Sequence, residues 1–187
     1  MISIVIPYYK GMKNHVFFLK RCLKSIREQT YADYEVVISE NGTASENVNK
    51  GVKQANGDII KVLCMDDCFT DKHALERIVE AFKGTWLVNG VNNNLNPIYT
   101  GDIHLGNNKL GGLSSISFRK DKYIPLDETL AWLLDCDWYK KMIAQNGMPT
   151  ILNGNYVTID EGDHQSTNNI NNINKNKEVM ELRKRYD

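Results

Sequence analysis

An α/β fold built on a mostly parallel sheet is what this sequence predicts, and three observations carry it. Strand-like and helix-like segments alternate from the N-terminus to about residue 82. The strand-like runs are short, apolar and β-branched, and the helix-like runs repeat their apolar residues at helical spacing. The chain has 187 residues, 42% of them hydrophobic and 25% charged, which suits one ordinary domain with a sizeable core.

Ile2-Ser3-Ile4-Val5-Ile6, ended by Pro7, reads as a buried first strand. Val16, Leu19, Leu23 and Ile26 then predict an amphipathic helix over 15–29. Glu35-Val36-Val37-Ile38 is a second strand, and 44–55 a helix closed by the Asn56-Gly57 turn. A third strand spans 59–65, and a helix follows over 71–82 with Thr70 or Asp71 as its cap. This alternation implies parallel strands joined by right-handed crossovers. The second half is less regular. Strands are expected at 85–91, 98–105 and 114–119, a helix over 127–145 ended by Asn146-Gly147, and closing strands at Ile151 and 156–159. From Glu161 the chain turns polar, and 175–185 reads as a charged helix or a frayed end. The expected division is a domain over 1–162 and a polar C-terminal loop or tail over 163–187.

The 23 basic and 23 acidic residues balance, so no whole-chain basic footprint for nucleic acid or acidic membrane exists. No apolar run approaches the roughly 20 residues of a membrane helix, and the N-terminus lacks the marks of a signal peptide. The expectation is a soluble, cytoplasmic protein, at most peripheral to a membrane. Cys22, Cys64, Cys68 and Cys136 offer no C-x-x-C pair and are expected as free thiols. The asparagine-rich stretches carry no functional reading.

In an open α/β sheet, ligands bind beyond the carboxyl ends of the strands. Strand one ends in Pro7-Tyr8-Tyr9, strand two in Ser39-Glu40-Asn41-Gly42, and strand three leads to Asp66-Asp67. A flat aromatic, a hydrogen-bonding carboxylate and an acidic pair suit a base, a ribose and a metal-bound diphosphate. Neither G-x-G-x-x-G nor G-x-x-x-x-G-K-[ST] occurs, so phosphate must be neutralised without a glycine cradle. A divalent cation on Asp66 or Asp67 meets that need, because hard cations share carboxylate and phosphate oxygens.

Taken together, these segments make the chain resemble a family 2 glycosyltransferase of the GT-A fold over roughly residues 1 to 165. The resemblance rests on Ile2 to Tyr9, on Leu19-x-x-Cys22-Leu23-x-Ser25-Ile26-x-x-Gln29-Thr30, and on Val36 to Thr43. It rests also on Ala55 to Ile60 leading to Asp66-Asp67, on 114–120, and on Leu133 to Tyr139. It implies a three-layer GT-A fold with a mixed, mostly parallel sheet. It implies an inverting hexosyltransferase that moves one sugar from a nucleotide-diphospho-sugar to a glycan or other hydroxyl acceptor, as in polysaccharide or glycan biosynthesis. Pro7, Tyr8, Tyr9, Glu40, Asn41 and Asp66 are then the expected donor-nucleotide residues. Asp67, Asp66 and His164 are the expected ligands of Mn²⁺ or Mg²⁺. Asp135 is the expected base, with Asp137 as its alternative, since two residues two apart on a helix do not share a face.

The chain departs from the family pattern at Glu40, where Asp is usual. It departs again at Cys64, where many members carry the first Asp of D-x-D, and at Leu134, where Glu is frequent. Q-x-x-R-W is absent, which argues for transfer of a single sugar. Arg119 and Lys120 are further phosphate candidates; Trp132 and Trp138 are expected in the core, with sugar stacking as the alternative. Two other classes stand beside this reading: a catalytically silent nucleotide-sugar-binding domain, and a sugar-nucleotide pyrophosphorylase, whose usual Gly-rich opening is missing. The polar C-terminus is open to three roles: a lid, a homodimer contact or a membrane-proximal segment.

Overall fold

A computed structural model of the chain describes residues 1–187, the side chain of residue 166 excepted. The chain runs β1 (Ile2–Pro7), α1 (His15–Arg27), β2 (Tyr34–Ser39), α2 (Ala44–Gln54), β3 (Ile59–Val62), β4 (Cys68–Phe69) and α3 (Ala74–Ala81). It continues through β5 (Trp86–Val91), β6 (Ile116–Arg119), α4 (Leu134–Asn146), β7 (Thr150–Thr158), α5 (Ser166–Asn169) and α6 (Asn172–Tyr186).

One seven-stranded sheet holds the order β2-β1-β3-β6-β5-β7-β4. β1 pairs in parallel with β2 and β3, and β5 with β7, whereas β6 opposes both β3 and β5 and β4 opposes β7. Five strands therefore point one way and two, β4 and β6, the other. The strict period of a strand makes the layers. Ile2, Ile4 and Ile6 of β1 pack with Phe18, Cys22 and Ile26 of α1 and with Leu75 and Ile78 of α3. Val5 faces the opposite side, toward Val48 and Val52 of α2 and the large cluster around Trp86, Phe118 and Trp138. Helices thus cover both faces of a mixed, mostly parallel sheet, as the sequence predicts. Among the described residues no helix is long and apolar enough to cross a membrane.

The elements through α3 agree with the sequence reading to within a few residues, except that the short β4 is not among those expected and that α3 begins at Ala74 behind His73, not behind Thr70 or Asp71. Asp71 instead accepts the His73 N–H at 2.7 Å through its carboxylate, which holds a turn ahead of the helix. Three later expectations change. No strand forms over 98–105. The side chains of Thr100 and Asn107 bond the Asn107 carbonyl and the Asp102 carboxylate instead, and only a 3₁₀ turn forms at Ile103–Leu105. The helix expected from Asp127 begins at Leu134, because Asp127 Oδ1 accepts from both the N–H and the hydroxyl of Thr129 and diverts the chain into a turn. The two short closing strands are one, β7, with Gly154 at φ 122° where the ladder shifts.

Of the two alternatives for the polar C-terminus, the charged helix is the one that forms, while 163–165 remain a turn. α6 starts on Asn171, whose side chain accepts the Asn174 N–H at 2.9 Å, and buries Leu182 completely in the core cluster that also holds Trp138 and Tyr139.

Candidate active site

The carboxyl ends of β1, β2, β3 and β7 form one rim. The first two are locked together by backbone: Tyr8 N–H donates to the Ser39 carbonyl at 2.8 Å. Asn47, buried on α2, donates from Nδ2 to the carbonyls of Tyr8 (3.2 Å) and Gly42 (2.9 Å) and so staples the two loops. Asn41 takes φ 73°, a left-handed turn that asparagine tolerates. The Thr43–Glu46 capping box then starts α2. Between the loops lies a crevice of about 350 Å³ lined by Tyr8, Tyr9, Lys10, Asn41 and Thr43 with the backbone of Gly11 and Gly42. Tyr9 is 60% exposed over it, while Tyr8 is held beneath by its hydroxyl, 2.5 Å from His15 Nδ1.

The acidic pair sits beside this crevice, since the Tyr9 N–H donates to Met65 Sδ at 3.2 Å. Its two members have different surroundings. Asp67 is 4% exposed; its Oδ2 accepts from the Ser114 hydroxyl at 2.5 Å and its Oδ1 from the Asp160 N–H at 3.1 Å. Burial, then the neighbouring Asp66 charge, pushes its carboxyl well above the usual range, and the two hydrogen bonds work against that shift. Asp66 keeps its carboxylate toward the rim. His164 Nε2 stands 3.4 Å from both Asp66 Oδ2 and Asp160 Oδ1, and is itself buried without a hydrogen-bond partner. Arg21, from α1, reaches the Asp66 carbonyl and the Asp160 carboxylate. Burial raises the Asp66 carboxyl and the nearby His164 opposes the shift.

Underneath, Lys61 of β3 is fully buried and donates to Asn89 Oδ1 (2.7 Å) and the Ser114 carbonyl (2.6 Å). Desolvation lowers its pKa to about 7. Ser114 therefore joins Lys61 below, through its carbonyl, to Asp67 above, through its hydroxyl. The same hydroxyl accepts the Cys64 N–H at 2.8 Å.

The fourth corner is the N-terminus of α4. Its C-terminal end meets the start of β5, where Trp86 Nε1 donates to the Gly147 carbonyl, so its first turn lies at the rim. Asp135, in that turn and partly exposed, accepts from Asn108 Nδ2 at 2.9 Å and from the Cys136 N–H at 2.8 Å. Burial raises its carboxyl to about 6. Asp137 is buried completely and pairs with Arg185 and Tyr186 at Oδ1 (2.8 and 2.6 Å) and with Lys141 at Oδ2 (2.6 Å).

The structure thus brings Tyr8, Tyr9 and Asn41 around the crevice and Asp66, Asp67, His164 and Asp135 to the same rim. Pro7 ends β1 beside Ser39 and does not line the crevice. Neither does Glu40, which pairs with Lys10 at 2.9 Å; that lysine holds its carboxyl below the ordinary range. Arg119 and Lys120 lie at the other end of the sheet, because β6 runs against β3 and sets Arg119 opposite Ile59. They bond the carbonyls of Gly84 and Ala55 there. Trp138 is a core residue. Trp132 packs against Gly106, where a Cβ would come within 2.9 Å of its ring. Asp160, Arg21, Asn47, Asn108 and Ser114 escaped the sequence reading as site residues. Asp160 was within its reach, since it follows the strand expected at 156–159.

Comparison with protein-family models finds no match, and no curated protein matches by sequence. Solved structures do match. TarS 1–349 from S. aureus in complex with UDP superposes with a TM-score of 0.66 at 15% identity, over 98% of this chain and 71% of that one. The same protein in complex with UDP-GlcNAc gives 0.61 at 17% identity, over 87% and 60%. The mannosyltransferase PcManGT from Pyrobaculum calidifontis, in complex with GDP-Man and Mn²⁺, gives 0.52 at 12% identity, over 87% and 55%. Against the longer TarS structure this chain spans 43% of the partner's length. The fold is the glycosyltransferase fold of the GT-A type.

Proposed function

We propose that this chain is a glycosyltransferase that takes one sugar from a nucleotide-diphospho-sugar and delivers it, with inversion, to an acceptor hydroxyl. The observation that carries the reading is the meeting of the Tyr9–Asn41 crevice, Asp66 and Asp135 at one rim of a fold shared with TarS and PcManGT. The crevice takes the base, which stacks on the exposed Tyr9 ring and meets the polar edge at Asn41. The diphosphate lies toward Asp66. Asp135 accepts the acceptor's proton as the hydroxyl attacks; its carboxyl near 6 is ionised at neutral pH yet basic enough to serve.

Among the described residues no three of His, Cys, Asp and Glu form a ready metal cage. The nearest approach to one is His164 Nε2 between Asp66 and Asp160, and the unpartnered state of that buried nitrogen fits a group yet to be bound. We therefore assign a divalent cation to Asp66 and His164, with Asp160 beside them. Such an ion stabilises the charge that gathers on the departing diphosphate. Asp67 is the supporting member, since both of its oxygens are already engaged.

The test is a thermal-shift and turnover screen of UDP-GlcNAc and GDP-mannose with and without Mn²⁺. A metal-dependent rise in melting temperature together with release of nucleoside diphosphate is expected. Binding without release would favour the silent nucleotide-sugar-binding domain, a reading that Cys64 at the first D-x-D position also suits.

A further inference from the structure

We propose that Glu178, on α6, is a positioning residue that sets Asp135 in place, an inference that rests on Asp135 serving as the base. The N-cap of α4, Leu133, offers no side-chain acceptor, so the N–H donors leading into the helix must be satisfied from elsewhere. Glu178 supplies them. Its carboxylate accepts from three successive backbone N–H groups: Ala131 at 3.0 Å, Trp132 at 3.0 Å and Leu133 at 2.8 Å. Three consecutive amides around one carboxylate form an anion nest. The negative charge also sits at the positive end of the α4 dipole.

The same helix grips the chain on the far side of Asp135. Arg185 and Tyr186 hold Asp137 Oδ1, and Arg185 also pairs with Asp127 at 2.8 Å. Leu182, completely buried, anchors α6 between these two polar grips. Residues 131–133 and 137 are therefore fixed from α6, and Asp135 lies between them. Asp135 itself bonds Asn108 and the Cys136 N–H and makes no hydrogen bond to α6. The C-terminal helix acts on the base through the backbone that carries it, and the segment that looks like a polar tail in the sequence becomes part of the catalytic framework.

Four variants of the full chain test this: Asp135→Asn, Glu178→Ala, Glu178→Gln and Asp135→Asn with Glu178→Ala. Donor affinity is measured by calorimetry, and turnover by nucleoside diphosphate release from UDP-GlcNAc or GDP-mannose, whichever is used. Glu178→Ala is expected to lower kcat by about 100-fold, the scale of an ångström-sized misplacement, with donor Kd unchanged. Glu178→Gln, which keeps one acceptor oxygen, should fall between Glu178→Ala and the parent. In the double variant the residual rate should match Asp135→Asn alone, because a residue acting through Asp135 has nothing left to position. A wild-type kcat in Glu178→Ala alongside an inactive Asp135→Asn would overturn the positioning role and leave the base intact. Equal loss of kcat and donor affinity in both Glu178 variants would show mere structural support and overturn it too. An active Asp135→Asn would instead reject the base assignment, and the proposal with it.

Discussion

The two acidic pairs of the rim, Asp66-Asp67 after β3 and Asp135-Asp137 at the head of α4, solve one problem in opposite ways. Each has one member bound inward and one left toward the cleft. After β3 the inward member, Asp67, is held by neutral donors, the Ser114 hydroxyl and the Asp160 N–H. In α4 the inward member, Asp137, is held by two cations and a phenol from the same helix and from α6. Neutral donors leave Asp67 in competition with Asp66 for a proton, so the negative charge of that pair is only partly compensated and suits a cation. Ionic partners cancel Asp137 fully and leave Asp135 with a neutral amide partner, Asn108, and a raised carboxyl, which suits proton transfer. The lesson is that neighbouring carboxylates divide their work through the partner of the buried one.

The sharpest way to break the comparison is to exchange roles within α4. Asp135→Asn should lower kcat by about 10²–10⁴-fold while donor affinity and urea midpoint stay at parent values. In the parent, kcat should rise with pH through about 6 and then level, since burial raises this carboxyl and the base works ionised. A rate that is flat from pH 5 to 8 would remove Asp135 from that role. Asp137→Ala should do the reverse: it removes the shared partner of Lys141, Tyr186 and Arg185, which keeps Asp127, costs about 1–3 kcal/mol in urea unfolding, and loosens α6. After β3 the effects are smaller. Asp66→Ala should weaken Mn²⁺-dependent donor binding about tenfold or more, the scale of a lost charged contact. Asp67→Ala should chiefly lower stability, by about 1–3 kcal/mol, through the orphaned Ser114 hydroxyl and Asp160 N–H. Calorimetry that finds the two variants equally damaged in Mn²⁺ dependence would erase the distinction between them.

How much of this was legible in the sequence differs between the halves. Periodicity locates β1, β2, β3 and the first three helices, though not the two-residue β4, because β1 and β3 are buried apolar runs and each helix has one apolar side, so local pattern and tertiary burial agree. The rim residues Tyr9, Asn41, Asp66 and Asp67 follow from strand ends, a rule of topology. In the second half the pattern is overruled by side-chain hydrogen bonding: Asp127 with Thr129 delays α4, and Asn107 with Asp102 removes a strand. Glu40 shows the limit for charge. It sits at the right turn, but Lys10, five residues before α1, takes its carboxylate, and no spacing rule signals a pair across two loops. α6 is legible only as one of two alternatives, a charged helix or a frayed end, because among its residues only Leu182 is fully buried. A helix held by Glu178, Arg185 and Tyr186 gives a weak apolar stripe, and period is what a sequence reading detects.

Lys61 gives the smallest and most discriminating test, because it lies under one pair only. Its amine meets the Asn89 side-chain oxygen and the Ser114 carbonyl but bonds no carboxylate, so neutral dipoles solvate it directly and Asp67 acts only from a distance. At pH 10 the folded amine is neutral, so Lys61→Met loses those bonds and leaves two buried acceptors unmet with no charge burial to offset the loss. The net is a destabilisation of about 1 kcal/mol at pH 10. Its sign against pH follows from linkage. Folding lowers this amine to about 7, so between that value and the unfolded pKa the unfolded chain binds more protons, and the parent loses stability as pH falls. The methionine variant lacks that loss. Its deficit in urea midpoint should therefore shrink and then reverse as pH drops from 10 to 7, because about 1.4 kcal/mol per pH unit exceeds the starting deficit, and stay constant below. A deficit independent of pH would mean that Lys61 keeps its ordinary proton affinity in the fold, and that the Ser114 platform under Asp67 rests on a permanent cation.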